Sequence, residues 1–231
     1  IFVLCAQYGD RFHEAGSYNN RVFAWLPSGN IQKVREDCER TLQLARENGF
    51  AILELRVLHN LTEVTYLTGD LAMAAKWSRK NVELFDRLSG ESVTGLLTEL
   101  VLQARVFAAL GDDEHAREVL ADIRHRAAEA KARGENADLV PSVQVLFDLV
   151  ELASRQATDE EWAALLARAE KDSVQEEPIE VWAIRGLAAQ RGGRLDVARQ
   201  ALEKAKLLAQ SIPNLLGPQV ERWLAELRPA A

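Results

Sequence analysis

A glycine-centred turn recurs along this chain at intervals of about 40 residues. It follows an apolar stretch each time, at Gly29, Gly69, Gly111 and Gly193, in the segments SGNIQKV, TGDLAMAA, LGDDEHA and GGRLDVA. The spacings are 40, 42 and 82 residues, and the last is two units of 41. A degenerate copy in the gap, QATDEEWAALL around Thr158, supplies the missing turn. A fixed period of this kind predicts stacked copies of one structural unit, here five of them.

Within each unit the apolar residues recur at the spacing of one α-helical face and do not alternate as in a strand. In the second unit this face carries Leu71, Ala74, Ala75, Ser78, Val82 and Phe85. Glycine adopts the backbone angles that a tight break between two helices requires, and the Asn or Asp that follows can cap the next helix. A small or slim apolar residue, which lets two helix backbones approach closely, stands five positions after each glycine: Val34, Ala74, Ala116 and Ala198. We therefore predict an all-α fold of helix-turn-helix units.

One continuous domain over 1–231 can hold these units, because a chain of 231 residues with 48% hydrophobic content can bury a substantial core. The units are predicted near 13–48, 51–90, 93–134, 140–174 and 178–211, with a capping helix over 217–228. Their paired helices are predicted near 13–27 and 31–47, 51–67 and 71–88, 93–109 and 113–133, 140–156 and 159–173, and 178–191 and 195–211. The capping helix would cover the last exposed face of the stack with Val220, Trp223, Leu224 and Leu227.

The fifth unit resembles the tetratricopeptide repeat. At the offsets of that consensus it carries Trp182, Gly186, Gly193, Leu195, Ala198, Leu202 and Ala205. The other units keep the apolar positions but have Tyr18, Leu58 and Leu100 where the consensus has Trp. Arg185 also stands where the consensus prefers Leu.

Two details are more similar to kinesin light chain and to the sensor domains of MalT-type bacterial regulators. One is the longer repeat, and the other is the NN pair beginning at Asn19 and the HN pair beginning at His59. The resemblance covers about 29–210, with Phe12–Leu26 as an opening helix. It implies a right-handed superhelical solenoid of about five antiparallel helix pairs.

In the family that this chain resembles, the first helix of each unit lines a concave groove in which ligands lie. Arg56, Asn60 and Glu63 lie four and three residues apart and so share one stripe of the second unit's first helix. We predict a binding groove formed by this stripe, its neighbours and the equivalent positions of the adjoining units: Asn19, Phe23, Arg56, His59, Asn60, Glu63, Tyr66 and Arg105. The alternative is a solvated helix face with intramolecular ion pairs of small energetic value.

A family member that captures chaperone tails clamps a terminal carboxylate with several Lys, Arg and Asn side chains. Arg56, Asn60 and Arg105 could donate in this way. Glu63 lies between them and would repel a carboxylate unless it pairs with an arginine. The stripe therefore matches such a clamp only in part.

Composition and spacing argue against several function classes. The net charge of −7 and the pI near 5.3 argue against nucleic-acid binding, which depends on Lys and Arg clusters. We find no apolar run long enough to span a membrane. Cys5 and Cys38 lie too far apart for a zinc or redox motif, and the spacing of His115 and His125 does not fit a helical zinc motif. We expect no metal, no cofactor and no catalytic site, and a reducing, cytoplasmic location.

Two further patterns each have two interpretations. The segment 159–180 holds eight acidic and two basic residues and is either a solvated face or an acidic docking patch. The tryptophans are either a stacking platform or packing residues, and their places in the repeats favour packing: Trp25, Trp77, Trp162, Trp182 and Trp223.

The sequence favours a non-catalytic module that binds a protein or peptide through its groove. The alternative is a ligand-sensing or regulatory segment of a larger bacterial signalling protein, such as a MalT-like regulator or a repeat-bearing kinase. Because the chain opens with Ile1 and no Met, we expect a fragment of a longer protein. Apolar residues over Ile1–Tyr8 would also allow self-association at the N-terminal end.

Overall fold

The computed structural model describes residues 1–88, 92–172, 176–212 and 214–227. Within these ranges it contains α-helices, one short 3-10 helix over Leu26–Ser28 and no strand. The helices are α1 Phe2–Tyr8, α2 Arg11–Trp25, α3 Ile31–Asn48, α4 Ala51–Leu67, α5 Leu71–Arg87, α6 Val93–Leu110, α7 Asp113–Ala132, α8 Pro141–Ala153, α9 Asp159–Asp172, α10 Glu177–Arg191, α11 Leu195–Ala209 and α12 Gly217–Glu226. The prediction of an all-α fold is confirmed.

Most helices begin where the turn signals place them, and the differences have local causes. Helix α2 begins at Arg11, two residues before the predicted start, because the Asp10 side chain accepts a hydrogen bond from the backbone N–H of His13 and caps the helix. Helix α8 ends at Ala153, three residues before the predicted end. The predicted ends at 90, 173, 174 and 228 lie outside the described residues.

The turns between paired helices form from nearby residues. The four turn glycines have φ between 66° and 82°, a region that other residues resist. At the first three turns an Asn or Asp side chain accepts from the backbone N–H three residues on: Asn30 from Lys33, Asp70 from Met73 and Asp112 from His115. The degenerate turn closes differently, because Thr158 and Glu161 exchange hydrogen bonds between side chain and backbone as a capping box.

Each helix packs on its neighbour in the chain, and the even-numbered helices from α2 to α10 also pack on one another. Contacts join α2 to α4, α4 to α6, α6 to α8, and α8 to α10. The predicted small residues lie on the odd-numbered helices α3, α5, α7 and α11, which pack on their neighbours in the chain, and all four are fully buried: Val34, Ala74, Ala116 and Ala198. Helix α10 also contacts α6, so the C-terminal part of the chain packs back against its middle.

The apolar core is divided unevenly along the chain. A large cluster of buried side chains extends from Tyr66 to Leu227, and two smaller clusters fill the first third of the chain. All five tryptophans pack against these clusters, with Trp162 and Trp223 buried and the others partly buried. Their positions agree with a packing role.

Helix α6 corrects one expectation from the sequence. Over its 18 residues the mean hydropathy is 1.5, so it is long and apolar enough to cross a bilayer by length and composition. The expectation that no run of this length exists is therefore wrong. In the structure 61% of this helix is buried among other helices, as in a core helix.

At the N-terminal end, α1 lies on α2 and leaves apolar side chains uncovered. The rings of Phe2 and Tyr18 pack with their centroids 4.6 Å apart. Ile1, Val3 and Tyr8 are each more than 70% exposed. Self-association through this end stays a prediction.

Candidate binding cleft and adjoining acidic pocket

A cleft of about 470 Å³ opens between α2 and α4, with side chains of α5 and α6 at its edge. We call it the α2–α4 cleft, and its lining residues are Asn19, Asn20, Phe23, Ile52, Leu55, Arg56, His59, Asn60, Phe85 and Glu99. Five of the eight predicted groove residues meet here: Asn19, Phe23, Arg56, His59 and Asn60. They meet because helical spacing places each set on one face and α2 packs beside α4.

An amide pair lies in the wall of the cleft. Asn60 Nδ2 donates to Asn19 Oδ1 at 3.0 Å, and both side chains are largely buried. Asn19 Nδ2 and Asn60 Oδ1 make no other hydrogen bond within the described part of the chain. The pair thus keeps one donor and one acceptor at a cleft wall.

Apolar side chains stand beside this pair. Phe23 is 59% exposed and Ile52 is 42% exposed, although both are large hydrophobic residues. Leu55 is buried and Phe85 is partly buried beneath them. The cleft therefore offers an apolar contact surface next to unused amide groups.

His59 forms a charged network at the edge of the cleft. Its Nδ1 lies 3.0 Å from Glu99 Oε1, and Asn81 Nδ2 donates to Glu99 Oε2 at 2.6 Å. Burial alone would lower the pKa of His59, but the hydrogen bond with Glu99 and the charges of Glu99 and Glu63 outweigh it and raise the pKa. Both Glu99 oxygens are engaged, by His59 and by Asn81.

Arg56 is the other cation of the cleft. Its side chain is exposed and forms no ion pair or hydrogen bond with the described residues. Because Glu99 is engaged by His59 and Asn81, Arg56 is, among the described residues, an unpaired positive charge at the cleft, in a chain whose net charge is −7.

A second cavity, of about 260 Å³, adjoins the first farther along α4. We call it the acidic pocket, and it is lined by Glu63, Leu67, Arg105, Leu146, Glu176, Glu177, Ile179, Glu180, Ile212, Asn214, Leu215 and Leu216. Two predicted groove residues, Glu63 and Arg105, line this pocket. The glutamates of α10 and the residue before it were not among the predicted site residues, although they belong to the acidic run that the sequence singles out.

A buried cluster forms one wall of the acidic pocket. Arg105 Nε and Nη2 donate to Glu180 Oε1 and Oε2 at 2.8 and 2.6 Å, and the Tyr66 hydroxyl donates to Glu180 Oε1 at 2.6 Å. All three side chains are buried. Tyr66, the eighth predicted groove residue, is only 1% exposed, so it holds Glu180 in place and does not face an open surface.

The contacts within this cluster shift the pKa values of Tyr66 and Arg105. Burial and the charge of Glu180 raise the pKa of the Tyr66 hydroxyl well above its usual value. Burial alone would lower the pKa of Arg105, but the charge and hydrogen bonds of Glu180 raise it. Arg105 and Glu180 therefore form a charged pair, and Tyr66 stays a neutral hydrogen-bond donor.

Glu63 links the cleft and the pocket. Its Oε1 lies 3.7 Å from Arg105 Nη1, and its Oε2 lies 3.8 Å from His59 Nε2. The arginine pairing that the sequence left open for Glu63 is therefore present. The two cavities are neighbours along one face of α4.

The remaining glutamates of the pocket are short of partners. Burial, together with the charges of Glu63 and the neighbouring glutamates, raises the pKa of Glu176. Burial also raises the pKa of Glu177, and its Oε2 is buried without a hydrogen-bond partner among the described residues. A cationic group entering this pocket would meet carboxylates that lack counter-charges.

Within the described ranges no group of three or more His, Cys, Asp or Glu side chains is arranged to hold a metal ion. His115 and His125 are exposed beside Asp112 and Glu129. Cys5 and Cys38 are free and buried.

Comparison with models of known protein families gives no match for this chain, and comparison with curated proteins gives none either. The resemblance to tetratricopeptide repeats therefore rests on the consensus residues of the fifth unit, such as Trp182 and Gly186.

Proposed function

We propose that this chain is a non-catalytic module that binds an extended peptide segment of a partner protein in the α2–α4 cleft. The helix pairs would form a solenoid of the tetratricopeptide type, with the even-numbered helices on its ligand-binding side. The observation that carries the proposal is the Asn19–Asn60 amide pair beside the exposed side chains of Phe23 and Ile52.

An extended peptide presents one backbone N–H and one C=O at each residue and must have them satisfied when it leaves water. Asn60 Oδ1 can accept from such an N–H, and Asn19 Nδ2 can donate to a C=O. The hydrogen bond between the two amides fixes their orientation in advance, which lowers the entropic cost of binding.

The apolar part of the cleft supplies the remaining affinity. Large hydrophobic residues that stay exposed at a concave surface are typical of sites that are covered on binding. Phe23 and Ile52 stand at the mouth, with Phe85 and Leu55 beneath. A partner's aliphatic or aromatic side chain can fill this space while the amide pair holds its backbone.

The test is selection of peptides from a random twelve-residue library displayed on phage, followed by affinity measurement of the selected peptides by fluorescence anisotropy. We expect Phe23→Ala and Asn60→Ala to weaken binding about tenfold or more each, as for the central residues of an interface. Phe12→Ala is the matched control, because Phe12 is 50% exposed but does not line the cleft. Circular dichroism verifies that all three variants keep their helices.

Two results would overturn the proposal. One is a library from which no peptide is enriched on the wild-type protein. The other is a set of selected peptides that binds Phe23→Ala and Asn60→Ala as tightly as the wild type.

A further inference from the structure

We infer that the peptide in the α2–α4 cleft carries a carboxylate side chain that pairs with Arg56 and, about three residues away, a lysine or arginine that reaches the acidic pocket. This inference rests on the proposed function and names the chemistry of the partner.

The need for a carboxylate follows from the charges around the cleft. Arg56 is exposed and has no partner among the described residues. The one carboxylate in the lining, Glu99, is already held by His59 and Asn81. A partner's Asp or Glu beside Phe23 and Ile52 would pair with Arg56 at the edge of an apolar surface, where screening by water is weaker than on an open face.

The need for a cation follows from the acidic pocket. Four carboxylates line it, from Glu63, Glu176, Glu177 and Glu180, against the single guanidinium of Arg105. Glu180 takes the two short hydrogen bonds of that guanidinium, and Glu63 lies 3.7 Å from its third nitrogen. Glu177 Oε2 is buried and has no hydrogen-bond partner in the part of the chain that the structure describes. The pocket therefore has negative charge in excess and a carboxylate oxygen free to accept.

The apolar walls of the pocket fit the same kind of side chain. Leu67, Leu146 and Ile179 line it together with the carboxylates. Lysine and arginine have long aliphatic stems that pack on apolar surface while the charged end meets an anion. A compact cation such as a metal ion would use only the carboxylates, whereas lysine or arginine uses both parts of the pocket.

The spacing follows from helix geometry. Arg56 and Glu63 are seven positions apart on α4, which corresponds to about 10 Å along the helix axis. An extended chain advances about 3.3 Å per residue, so about three residues span this distance. His59 lies between the two cavities, since it lines the cleft and its Nε2 lies 3.8 Å from Oε2 of Glu63, which lines the pocket.

The inferred order of charges also excludes partners. A wholly acidic tail would be repelled by the pocket, and a wholly basic one would be repelled by Arg56. The α2–α4 cleft and the acidic pocket together select a peptide that carries an acidic and a basic residue in a fixed order. Selectivity comes here from repulsion of the wrong order as well as attraction of the right one.

The test uses synthetic peptides built on the apolar core of a sequence selected from the twelve-residue library. The five peptides differ only at two positions that lie three residues apart. These positions carry Glu–Lys, Lys–Glu, Glu–Glu, Lys–Lys or Gln–Gln, and the two termini of each peptide are blocked so that they carry no charge. We expect one of the two mixed orders to bind about fivefold tighter than the Gln and Gln peptide at low ionic strength, with the advantage shrinking as salt rises. Both mixed orders are needed because the peptide can run in either direction.

Charge variants of the protein then show which cavity binds the acidic residue of the peptide and which binds the basic one. Arg56→Glu should reverse the preference at the acidic position, and Glu177→Gln should weaken only the preference for lysine. Arg117→Glu is the matched control, since Arg117 is exposed on α7 and lines neither cavity. Thermal unfolding of each variant verifies that it is folded.

The outcomes separate this inference from the proposed function. Cleft-dependent binding with equal affinity for all five charge patterns would overturn the inference and leave the proposed function standing. A lysine preference that Glu177→Gln and Glu63→Gln both leave unchanged would overturn the role of the acidic pocket. Binding that is independent of Phe23 and Asn60 would overturn the proposed function itself.

Discussion

Arg105 on α6 and Glu180 on α10 form an ion pair with two parallel hydrogen bonds, although they lie 75 positions apart in the chain. The hydroxyl of Tyr66 on α4 donates to the same carboxylate. Three helices from distant parts of the sequence are thus joined at one buried carboxylate. This junction fixes where the acidic pocket lies relative to the α2–α4 cleft.

Removing one partner of this pair should strongly destabilise the protein. Glu180→Ala leaves the Arg105 guanidinium buried without its counter-charge, and we expect the free energy of unfolding to fall by about 3–5 kcal/mol. Urea denaturation followed by circular dichroism measures it. The exposed pair of Arg133 and Glu135 is the control, since water screens this pair and Glu135→Ala should cost far less than Glu180→Ala. Equal losses of stability at the two sites would contradict the burial argument. The double variant Arg105→Met, Glu180→Leu should recover much of the stability that Glu180→Ala loses, because it leaves no buried charge unpaired.

Two glycines inside helices should respond in opposite ways to alanine. A Cβ at Gly186 would lie 2.7 Å from Leu202 Cγ, so Gly186→Ala should destabilise the fold by about 1–3 kcal/mol through overpacking. Nothing lies within 4 Å of a Cβ at Gly16, so Gly16→Ala should stabilise α2 by about 0.5–1 kcal/mol. Thermal unfolding of both variants measures the difference. A stabilising Gly186→Ala would show that α10 and α11 pack less closely than the structure has them.

The hydrogen bond between His59 and Glu99 should make stability depend on pH. The pKa of His59 in the folded protein is raised above the ordinary histidine value of 6.5, so its contribution to stability is complete well below pH 6.5 and is lost as pH rises through the folded pKa. Glu99→Gln should therefore lower stability more at pH 5.5 than at pH 8.5. A proton NMR titration of the His59 ring checks the cause, because its pKa should fall in the variant. An unchanged titration would rule out Glu99 as the source of the shift.

Cys38 should be inert in the folded protein. It is fully buried, and burial together with the charges of Asp37 and Glu39 raises the pKa of its thiol to about 12. Because the thiolate is the reactive form, a Cys5→Ser variant should not react measurably with iodoacetamide at pH 8 until urea unfolds it. Mass spectrometry counts the label. Rapid labelling of the folded variant would mean that α3 opens readily.

The turns are the part of the fold that the sequence by itself determined. Between α6 and α7, for example, Gly111 adopts a left-handed conformation. The side chain of Asp112 then caps α7 by accepting a hydrogen bond from the backbone N–H of His115. The hydrogen bonds that close these turns join residues at most five positions apart, so the local sequence is enough to predict them. The helical stripe that groups Arg56 with Asn60 follows from the same local periodicity.

Tertiary structure alone decided which helix faces lie opposite each other and which distant residues cover them. The sequence placed Tyr66 and Arg105 in the same groove as Asn60, and the structure buries both against Glu180 from α10. It also brings Glu177 into a pocket with Glu63, more than 100 positions earlier in the chain. No local pattern encodes these contacts, because they join residues 75 or more positions apart and depend on how all the intervening helices pack.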